Sequence, residues 1–446
     1  MLSIWPSAPS VYTLDLHSVG MRQLMEYTTI TLLLAHLFVT YGFRNNVRLA
    51  ASKFSSNHNT LFIAKEPSGA DELFSLGMEL EQNGYFREAN EAFQDAAKRY
   101  QRVLDSDNND ATDLSTRSKD ELSSVLGYIT IRLAHLSHDA MGDSQTSARL
   151  YRQASQIDPS MVSWHGVGNS LEACDGTGNE DGLVSAIDAY RRALGLSHGN
   201  NNRLMLDLAV ALDRSGQIDE SKQLMEELRG TDHGSSLVDS WDYVREHTSK
   251  QVRSNLQRGT RDMLQLALDQ ALPMISKSNG LVCEFGVASG RSIRMTREIL
   301  TPEVTVHGFD TFTGLPEAWG NEPAGSYTME GAIPRFIDGE DVQFHKGLFY
   351  DTIPSFLDTC THEHKKQPLA YANIDCDLYS STMDILQLFR DRIVPGTILL
   401  FDEYIGHQTW RGDEYQAWQE CCQEFGWTYE YLAVSLSSKQ AAVRVT

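Results

Sequence analysis

The sequence predicts a protein of two domains, an all-α solenoid of helical hairpins followed by an α/β domain that ends in an antiparallel hairpin. Three observations lead to this fold class. Small and apolar residues recur at helical spacing through the first half of the chain. After Gly280, short apolar runs alternate with helical patterns, which is typical of a parallel sheet. A short turn at residues 437–440 lies between the last two apolar runs, and so short a connection makes two strands antiparallel.

Composition and charge narrow the class of protein. The chain has 446 residues, enough for two or three domains. Its formal net charge is −22, so we expect repulsion from nucleic acid and from anionic membrane surfaces. There are six cysteines, and none forms a CxxC pair. The cysteine pattern predicts a reducing compartment and gives no zinc site.

Residues 1–68 are predicted to be a targeting or anchor segment followed by a polar linker. Residues 27–43 contain no Asp, Glu, Lys or Arg, and this run is at the lower length limit for a bilayer span. Three interpretations stay open: a short signal anchor, a cleaved targeting segment, or an amphipathic helix packed on the body of the protein. If the run spans a membrane, the basic residues that follow it keep the main body cytoplasmic. We therefore expect a cytoplasmic protein that this segment could anchor to a membrane.

Residues 69–230 are predicted to form helical hairpins. The first pair of helices turns at Asn83-Gly84, and small residues such as Gly77 and Ala89 let paired helices pack closely. The step from Tyr190 to Leu224 is 34 residues, which is the tetratricopeptide period. This region resembles about four degenerate tetratricopeptide repeats, and an irregular helical domain is the alternative. Stacked hairpins form a concave surface that suits a peptide or protein partner.

Residues 231–277 are predicted to be a helical linker. Helical periodicity covers residues 240–247 and 256–272, and Pro273 is expected to end the second helix. We expect this second helix to pack on the next domain and to cover its active site.

Residues 278–446 are predicted to be the α/β domain. Helices at 292–300 and 380–390 connect strands in a predominantly parallel sheet. The predicted strands cover residues 281–285, 304–309, 342–345, 369–374, 397–401, 427–434 and 441–445.

Two of these strands end in pairs of acids. Asp375-Cys376-Asp377 follows one buried strand, and Asp402-Glu403 follows the next. The carboxyl ends of neighbouring parallel strands meet in one crevice, where open α/β sheets bind their ligands. Four carboxylates in one crevice repel one another unless some are protonated or a cation lies between them. Oxygen ligands suit Mg²⁺, so the pattern predicts a metal-assisted group-transfer enzyme.

A glycine-containing turn lies between the first strand and its helix. Glu284, Gly286, Gly290 and Ser292 mark this turn, and its glycines let the backbone approach a ligand. A tight strand-to-helix turn is the alternative explanation for them. Asp310 ends the next strand, where an acid hydrogen-bonds a ribose diol. Together they predict a site for an adenosyl group, and Glu284 favours S-adenosylmethionine over a dinucleotide.

The acids and the glycine turn belong to a longer ordered set of motifs. The others are Phe309-Asp310-Thr-Phe-Thr-Gly-Leu-Pro316, Gly347-Leu-Phe349 with Thr352-Ile-Pro354, Leu378-Tyr379 with Ser381-Thr382, and Gly396. Over residues 255–446 this set resembles the macrocin O-methyltransferase family. The resemblance implies a Rossmann-like class I methyltransferase fold and Mg²⁺-dependent transfer of a methyl group from S-adenosylmethionine to a hydroxyl of a small molecule or sugar.

The resemblance also implies roles for single residues. Asp375, Asp402 and Glu403 match metal ligands, Asp377 matches a general base, and Asp310 matches the ribose-binding acid. Two positions depart from the family. Glu403 stands where Asp is usual, so its longer arm shifts the reach of the carboxylate. Cys376 stands where Gly is frequent, and we expect it to crowd the metal loop.

Two other functions stay open. A glycosyltransferase could use Asp375 and Asp377 to hold a metal ion and a nucleotide diphosphate, although the upstream turn and Asp310 favour a methyltransferase. A non-enzymatic adaptor with a vestigial fold is the other alternative, and the intact acids argue against it.

Several single residues also have two interpretations. Asp377 could merely cap the helix at 380–390. His407 could act as a base, but a loop histidine that faces water is the favoured reading. An acceptor pocket could be lined by Trp410, Tyr415 and Trp418, but their spacing is that of a helix start and favours packing in the core.

Overall fold

The computed structural model describes residues 69–105, 117–174, 180–197, 201–336, 341–362 and 365–446. The predicted anchor at 27–43 lies outside the described residues. Within the ranges described, no helix combines the length and the apolar character that a membrane crossing requires.

An all-helical region precedes the sheet, which confirms that part of the predicted fold. Its helices are α1 (Ala70–Gln82), α2 (Phe86–Asp105), α3 (Lys119–His135), α4 (Ser144–Ile157), α5 (Met161–Cys174), α6 (Glu180–Leu196), α7 (Asn202–Arg214), α8 (Ile218–Arg229), α9 (Gly234–His247) and α10 (Lys250–Ser254).

Glycines allow the closest approach between neighbouring helices of this region. A Cβ added to Gly77 of α1 would lie 2.6 Å from the ring of Phe93 on α2. The same addition to Gly168 of α5 would lie 2.2 Å from the ring of Tyr190 on α6. Both rings are fully buried, so each glycine makes room for an aromatic side chain that fills the space between two helices.

A π-helical turn, Leu136–Ala140, extends α3. The backbone N–H of Met141 donates to the carbonyl oxygen of Leu136, five residues earlier, over 3.1 Å. All five residues of the turn are buried, and His138 and Asp139 are among them. π-Helical turns occur frequently at functional sites, and this one packs towards the α/β domain.

Helix α11 (Thr260–Ser278) joins the two regions and packs against the sheet. The prediction that Pro273 ends this helix is wrong, because the helix continues for another turn and ends at Asn279 in the left-handed conformation, with φ 48°. Leu272 and Pro273 lie on the exposed side, while Ala271 and Ile275 are buried. The apolar contacts of the buried side therefore outweigh the hydrogen bond that proline removes.

The rest of the chain forms a mixed seven-stranded sheet with flanking helices, as predicted. The strands of this sheet are β1 (Leu281–Phe285), β2 (Val306–Asp310), β3 (Val342–Lys346), β6 (Leu369–Ile374), β7 (Ile398–Phe401), β8 (Tyr429–Val434) and β9 (Ala441–Val445). Two further strands, β4 (Thr361–His362) and β5 (Lys365–Lys366), form a separate small ladder. In the sheet, β1, β2, β3, β6 and β7 are parallel, whereas β9 runs antiparallel to both β7 and β8.

The described residues of this part of the chain also form four α-helices. They are α12 (Arg291–Ile299), α13 (Phe349–Thr359), α14 (Tyr379–Leu388) and α15 (Glu414–Phe425). The sequence predictions did not assign α13 to a helix, because it contains Pro354, a residue that normally interrupts one.

The strand order β3-β2-β1-β6-β7-β9-β8 places the topological switch point between β1 and β6. From β1 the chain continues outward through β2 to β3, whereas β6 continues to β7 on the other side. The loops after β1 and β6 therefore diverge and leave a crevice above the carboxyl ends of the strands. Every residue of β1, β6 and β7 is buried, so the sheet gives the crevice a rigid floor.

Two hydrophobic clusters each contain side chains of both the helical region and the sheet, and the described residues from 69 onward belong to one compact unit. Tyr243 of α9 shares a hydrogen bond of 2.7 Å with the hydroxyl of Tyr431 on β8. Between α10 and α11, the buried Arg258 forms ion pairs with Glu172 and Asp207 of the helical region. Its carbonyl oxygen accepts a hydrogen bond of 2.9 Å from the hydroxyl of Ser437 in the β8–β9 loop. The helical region is therefore tied directly to a loop of the crevice.

Candidate active site

A cavity of about 820 Å³ occupies the switch point. This volume lies within the range typical of small-molecule and cofactor sites. Most of the predicted site residues line the cavity, whereas Glu284 and Gly290 are not among its lining residues. Those that line it are Gly286, Ser292, Asp310, Asp375, Asp377, Asp402 and Glu403.

The turn after β1 depends on glycine at position 286. Gly286 has φ 88°, and a Cβ there would lie 1.6 Å from the carbonyl oxygen of Asp375. Its N–H donates to the carbonyl oxygen of Phe309 over 2.9 Å, which fixes the turn between β2 and β6. Gly290, with φ 84°, immediately precedes α12 and directs the helix N-terminus towards the cavity. Gly286 therefore lets the main chain approach a ligand in the crevice, and Gly290 starts the helix beside it.

Asp310 holds this turn in shape. One carboxylate oxygen accepts hydrogen bonds from the N–H groups of Val287 and Ala288, over 2.7 and 2.8 Å. The other oxygen accepts from the N–H of Phe312 over 2.5 Å. A carboxylate offers about four acceptor positions, so about one remains for a ligand hydroxyl. The sequence predictions did not include this structural role, and ribose binding by Asp310 stays a prediction.

Glu284 lies beneath the turn, almost fully buried. Its carboxyl group accepts hydrogen bonds from the Ser292 hydroxyl over 2.9 Å and from the Asn373 amide over 3.4 Å. Burial raises the pKa of Glu284 to about 8. Glu284 and Ser292 thus support the glycine turn from behind, and direct contact of either residue with a cofactor stays a prediction.

The structure brings the acids at the ends of β6 and β7 into one cluster, and burial raises the pKa of each. Burial raises the pKa of Asp377 to about 7, with the charge of Asp402 as the second cause. It raises the pKa of Glu403 to about 7 as well. Burial and the Asp402 charge raise the pKa of Asp375 well above its ordinary value, and burial also raises the pKa of Asp402.

A fifth carboxyl group belongs to this cluster. Glu414, the first residue of α15, is fully buried and accepts a hydrogen bond of 3.1 Å from the N–H of Glu403. Burial raises its pKa well above the ordinary value, with the Asp402 and Asp377 charges as further causes. The sequence predictions missed Glu414, because it begins a helix and does not end a strand.

The β8–β9 loop places polar groups on two of the acids. The ammonium group of Lys439 lies 3.0 Å from a carboxylate oxygen of Glu403. The amide of Gln440 donates to Asp402 over 2.5 Å. The sequence predictions missed both residues. The position of Lys439 in the short turn between the last two strands was a signal that could have indicated its role.

The predicted metal ligands have suitable chemistry but do not form a closed metal site as they are arranged. All three supply oxygen, and one carboxylate oxygen of Glu403 is buried without a hydrogen-bond partner. However, among the residues that the structure describes, no group of three or more His, Cys, Asp or Glu side chains is arranged to hold a metal ion. Asp402 and Glu403 bond to Gln440 and Lys439 instead.

The structure also decides between the two interpretations of several single residues. Asp377 does not cap α14: Leu378 occupies the N-cap position, and no side-chain hydrogen bond caps the helix. The expectation that His407 faces water is wrong, since its side chain is only 12% exposed and its Nε2 lies 2.8 Å from the carbonyl oxygen of Glu403. Trp410 and Trp418 are buried in the core, and the partly buried Tyr415 packs against it, as favoured.

Aromatic residues line the open side of the cavity. Trp319 and Tyr327 belong to the long loop between β2 and β3, and Tyr350 lies at the start of α13. Tyr327 and Tyr350 are more than half exposed, whereas the Trp319 ring packs edge-on against His407. The sequence predictions missed all three, because an aromatic residue in a loop carries no periodic signal. They form an apolar rim around an acidic floor.

Comparison with protein families and solved structures identifies relatives of this part of the chain. Residues 259–424 match the family described as Macrocin-O-methyltransferase (TylF), which confirms the predicted resemblance. No curated protein sequence matches. The calicheamicin methyltransferase CalS11 is 19% identical, over 51% of this chain and 93% of that chain, with a TM-score of 0.32. The O-methyltransferase NovP is 19% identical, over 55% of this chain and 100% of that chain, with a TM-score of 0.31. An O-methyltransferase from Bacillus cereus is 15% identical, over 50% of this chain and 96% of that chain, with a TM-score of 0.27.

Proposed function

We propose that the macrocin O-methyltransferase family domain of this protein, residues 259–424, transfers a methyl group from S-adenosylmethionine to a hydroxyl of a small molecule or sugar. The observation that carries the proposal is that one cavity is lined by both the glycine turn and the acid cluster. The turn suits the cofactor, and the acids suit a hydroxyl that must lose a proton.

In this proposal the chain mainly positions two reactants. The glycine turn at Gly286 and Gly290, supported by Glu284, Ser292 and Asp310, holds the cofactor. The acceptor oxygen then attacks the methyl carbon in line with the carbon–sulfur bond, whose electrons remain on the departing thioether. Such positioning supplies a large part of the rate, because the sulfonium group already provides the electrophile.

Asp377 is the proposed general base. It lines the cavity, and its pKa of about 7 suits a base that works near neutral pH. Its backbone has φ 63°, a conformation that non-glycine residues seldom adopt. A conformation of this kind is consistent with a carboxylate held for chemistry rather than for helix capping.

Magnesium dependence is a further part of the proposal. Asp375, Asp402 and Glu403 would hold the ion, which would lower the pKa of the acceptor hydroxyl and orient it. Burial raises the pKa of each of these acids, with the charge of Asp402 as a further cause at Asp375 and Glu403, and a cation between them would offset that repulsion. Binding would require Lys439 and Gln440 to leave Glu403 and Asp402.

The first experiment is calorimetry with S-adenosylmethionine and, separately, with UDP-sugars. We expect binding of S-adenosylmethionine only. Tight binding of a UDP-sugar without binding of S-adenosylmethionine would favour a glycosyltransferase instead. Methyl transfer is then measured with labelled cofactor and fractionated extract, with and without EDTA. Loss of transfer in EDTA, restored by Mg²⁺, is expected.

We further propose that residues 69–230 are tetratricopeptide-like repeats that bind a protein partner, that 231–277 link them to a catalytic domain at 278–446, and that 1–68 are a targeting segment and linker. The 34-residue step and the closely packed helix pairs support the repeats. If Asp402→Ala left every activity and metal affinity unchanged, the adaptor alternative would gain. Membrane anchoring by residues 27–43 stays a prediction.

A further inference from the structure

The cavity contains a basic residue that the proposed reaction does not use. Arg291 is the first residue of α12 and lines the cavity beside the glycine turn. Among the described residues that line the cavity, Lys439 is the other one with a positive side chain, and its ammonium group lies on Glu403. Arg291 is therefore the cation that lies next to the predicted cofactor turn.

A carboxylate from the helical region holds this arginine. Asp139, in the π-helical turn after α3, forms an ion pair with one terminal nitrogen of Arg291. Its other oxygen accepts a hydrogen bond of 3.2 Å from the N–H of Thr260, which also lines the cavity. Burial alone would raise the pKa of Asp139, but the Arg291 charge and other partners bring it below its ordinary value. Asp139 is therefore a fixed anion.

The local backbone is built for this contact. The π-helical turn forms the C-terminal end of this helical segment, and Asp139 lies within the turn. On the facing segment, a Cβ added to Gly259 would lie 2.9 Å from the ring of His138. The helical region and the start of α11 can approach closely only because this residue is glycine. The approach brings Asp139 to the edge of the cavity.

We propose that Arg291 binds the carboxylate of the methionine part of S-adenosylmethionine and that Asp139 is a positioning residue that holds Arg291 in place. The inference rests on the proposed function. Arginine has five N–H donors, and Asp139 engages one edge of the guanidinium group, so donors remain for a ligand. The Arg291 side chain is 45% exposed, which leaves it accessible.

The chemistry of the cofactor supports this pairing. Its methionine part carries an ammonium and a sulfonium group, and the carboxylate is its single anionic group. An arginine at a helix N-terminus attracts a carboxylate through both its own charge and the helix dipole. Asp139 lies outside the residues matched to the methyltransferase family. The helical region would thus complete a cofactor site that the catalytic domain does not complete alone.

The test compares S-adenosylmethionine with its decarboxylated analogue by calorimetry on the full chain. For Arg291→Ala we expect S-adenosylmethionine to bind about 10- to 100-fold more weakly, because a charge-assisted hydrogen bond is lost, and the analogue to bind unchanged. Asp139→Asn should weaken S-adenosylmethionine about 3- to 10-fold, again without effect on the analogue. In the double variant, Asp139→Asn should not weaken S-adenosylmethionine binding beyond the effect of Arg291→Ala.

Arg294→Ala is the matched control. Arg294 is on the same helix, lies over the ring of Tyr85 and does not line the cavity, so both ligands should bind as in the unchanged protein. Equal weakening of both ligands by Arg291→Ala, or no weakening, would overturn the carboxylate role. Unchanged affinity in Asp139→Asn would overturn the positioning role.

A second substitution covers the case in which Arg291→Ala does not fold. Arg291→Lys keeps the charge but loses the planar fork, and we expect selective weakening of S-adenosylmethionine with unchanged thermal unfolding. A lysine variant that binds both ligands as the unchanged protein does would contradict the inference. If the unchanged protein binds neither ligand, the proposed function itself fails, which is a distinct result.

Discussion

The carbonyl oxygen of Asp375 lies against Gly286, so that a Cβ at position 286 would be 1.6 Å away. In addition, the N–H of Asp375 donates to the carbonyl oxygen of Phe285 over 2.8 Å. The glycine turn and the first acid of the cluster are therefore in main-chain contact. A change on one side of this contact must displace the other.

Gly286→Ala should abolish S-adenosylmethionine binding and lower the free energy of unfolding by more than about 3 kcal/mol. The added Cβ meets main chain rather than a mobile side chain, and φ at this position is 88°. Calorimetry and urea unfolding would measure the two effects.

Gly195→Ala is the control for that substitution. Gly195 lies in α6 with nothing within 4 Å of an added Cβ. Alanine is the better helix former, so this variant should be up to about 1 kcal/mol more stable. If the two alanine variants were equally stable, the proposed close contact would be wrong.

Glu284→Gln should change how stability depends on pH. The pKa of Glu284 is raised from 4.5 to about 8, so the folded protein retains a proton that the unfolded chain loses. The stabilisation from Glu284 is fully present below the pKa of the unfolded chain. It is lost as pH rises towards the pKa of the folded protein, by up to about 1.4 kcal/mol per pH unit. Urea unfolding of both proteins between about pH 5 and 8 would measure the difference. Parallel curves for the two proteins would show that Glu284 does not keep its proton.

Asp377→Asn should lower kcat about 100- to 10,000-fold, which is the usual contribution of a general base. Binding of S-adenosylmethionine should not change, because the amide keeps the shape of the side chain. Asp384→Asn is the control, since Asp384 lines the same cavity outside the acid cluster and should keep kcat nearly unchanged. Steady-state kinetics with calorimetry would test both, and an active Asp377→Asn enzyme would remove Asp377 as the base.

Lys439→Met should tighten Mg²⁺ binding about tenfold, because it removes a cation that competes for Glu403. Calorimetric titration with Mg²⁺ would measure the change. Lys366→Met removes a comparable ion pair, with Asp391, on the exposed surface and should have no effect. Weaker Mg²⁺ binding in Lys439→Met would mean that the lysine supports the site instead.

Arg258→Met should lower the free energy of unfolding by about 3–5 kcal/mol, because it leaves buried carboxylates without a full set of partners. Arg258 is fully buried between Glu172 and Asp207. The control Arg191→Met removes an exposed ion pair with Glu220, and its free energy of unfolding should fall by at most about 1 kcal/mol. Urea unfolding would compare the two variants. A similar loss of stability in both would show that the buried cluster adds little.

Local patterns predicted the architecture and most of the acid cluster. Strand-end positions made it possible to place Asp375, Asp377, Asp402 and Glu403 at one crevice, because parallel strands all present their carboxyl ends at the same edge. The same patterns predicted wrongly that Pro273 ends its helix. A proline in the sequence indicates that one hydrogen bond is missing, but it does not indicate that the neighbouring side chains are buried. They also misjudged His407, whose ring packs against Trp319 of a loop distant in the sequence.

The sequence by itself determined the order of helices and strands, the glycine turn and the acids at the strand ends. These features depend on side-chain periodicity and on conformations that single residues favour. Only the tertiary structure decided that Glu414, Lys439 and Gln440 join the acids, and that Asp139 holds Arg291 from a distance of 152 positions in the chain. The reason is physical: burial and charge pairing act between residues that folding brings together, and no local pattern in the chain records which partners those are.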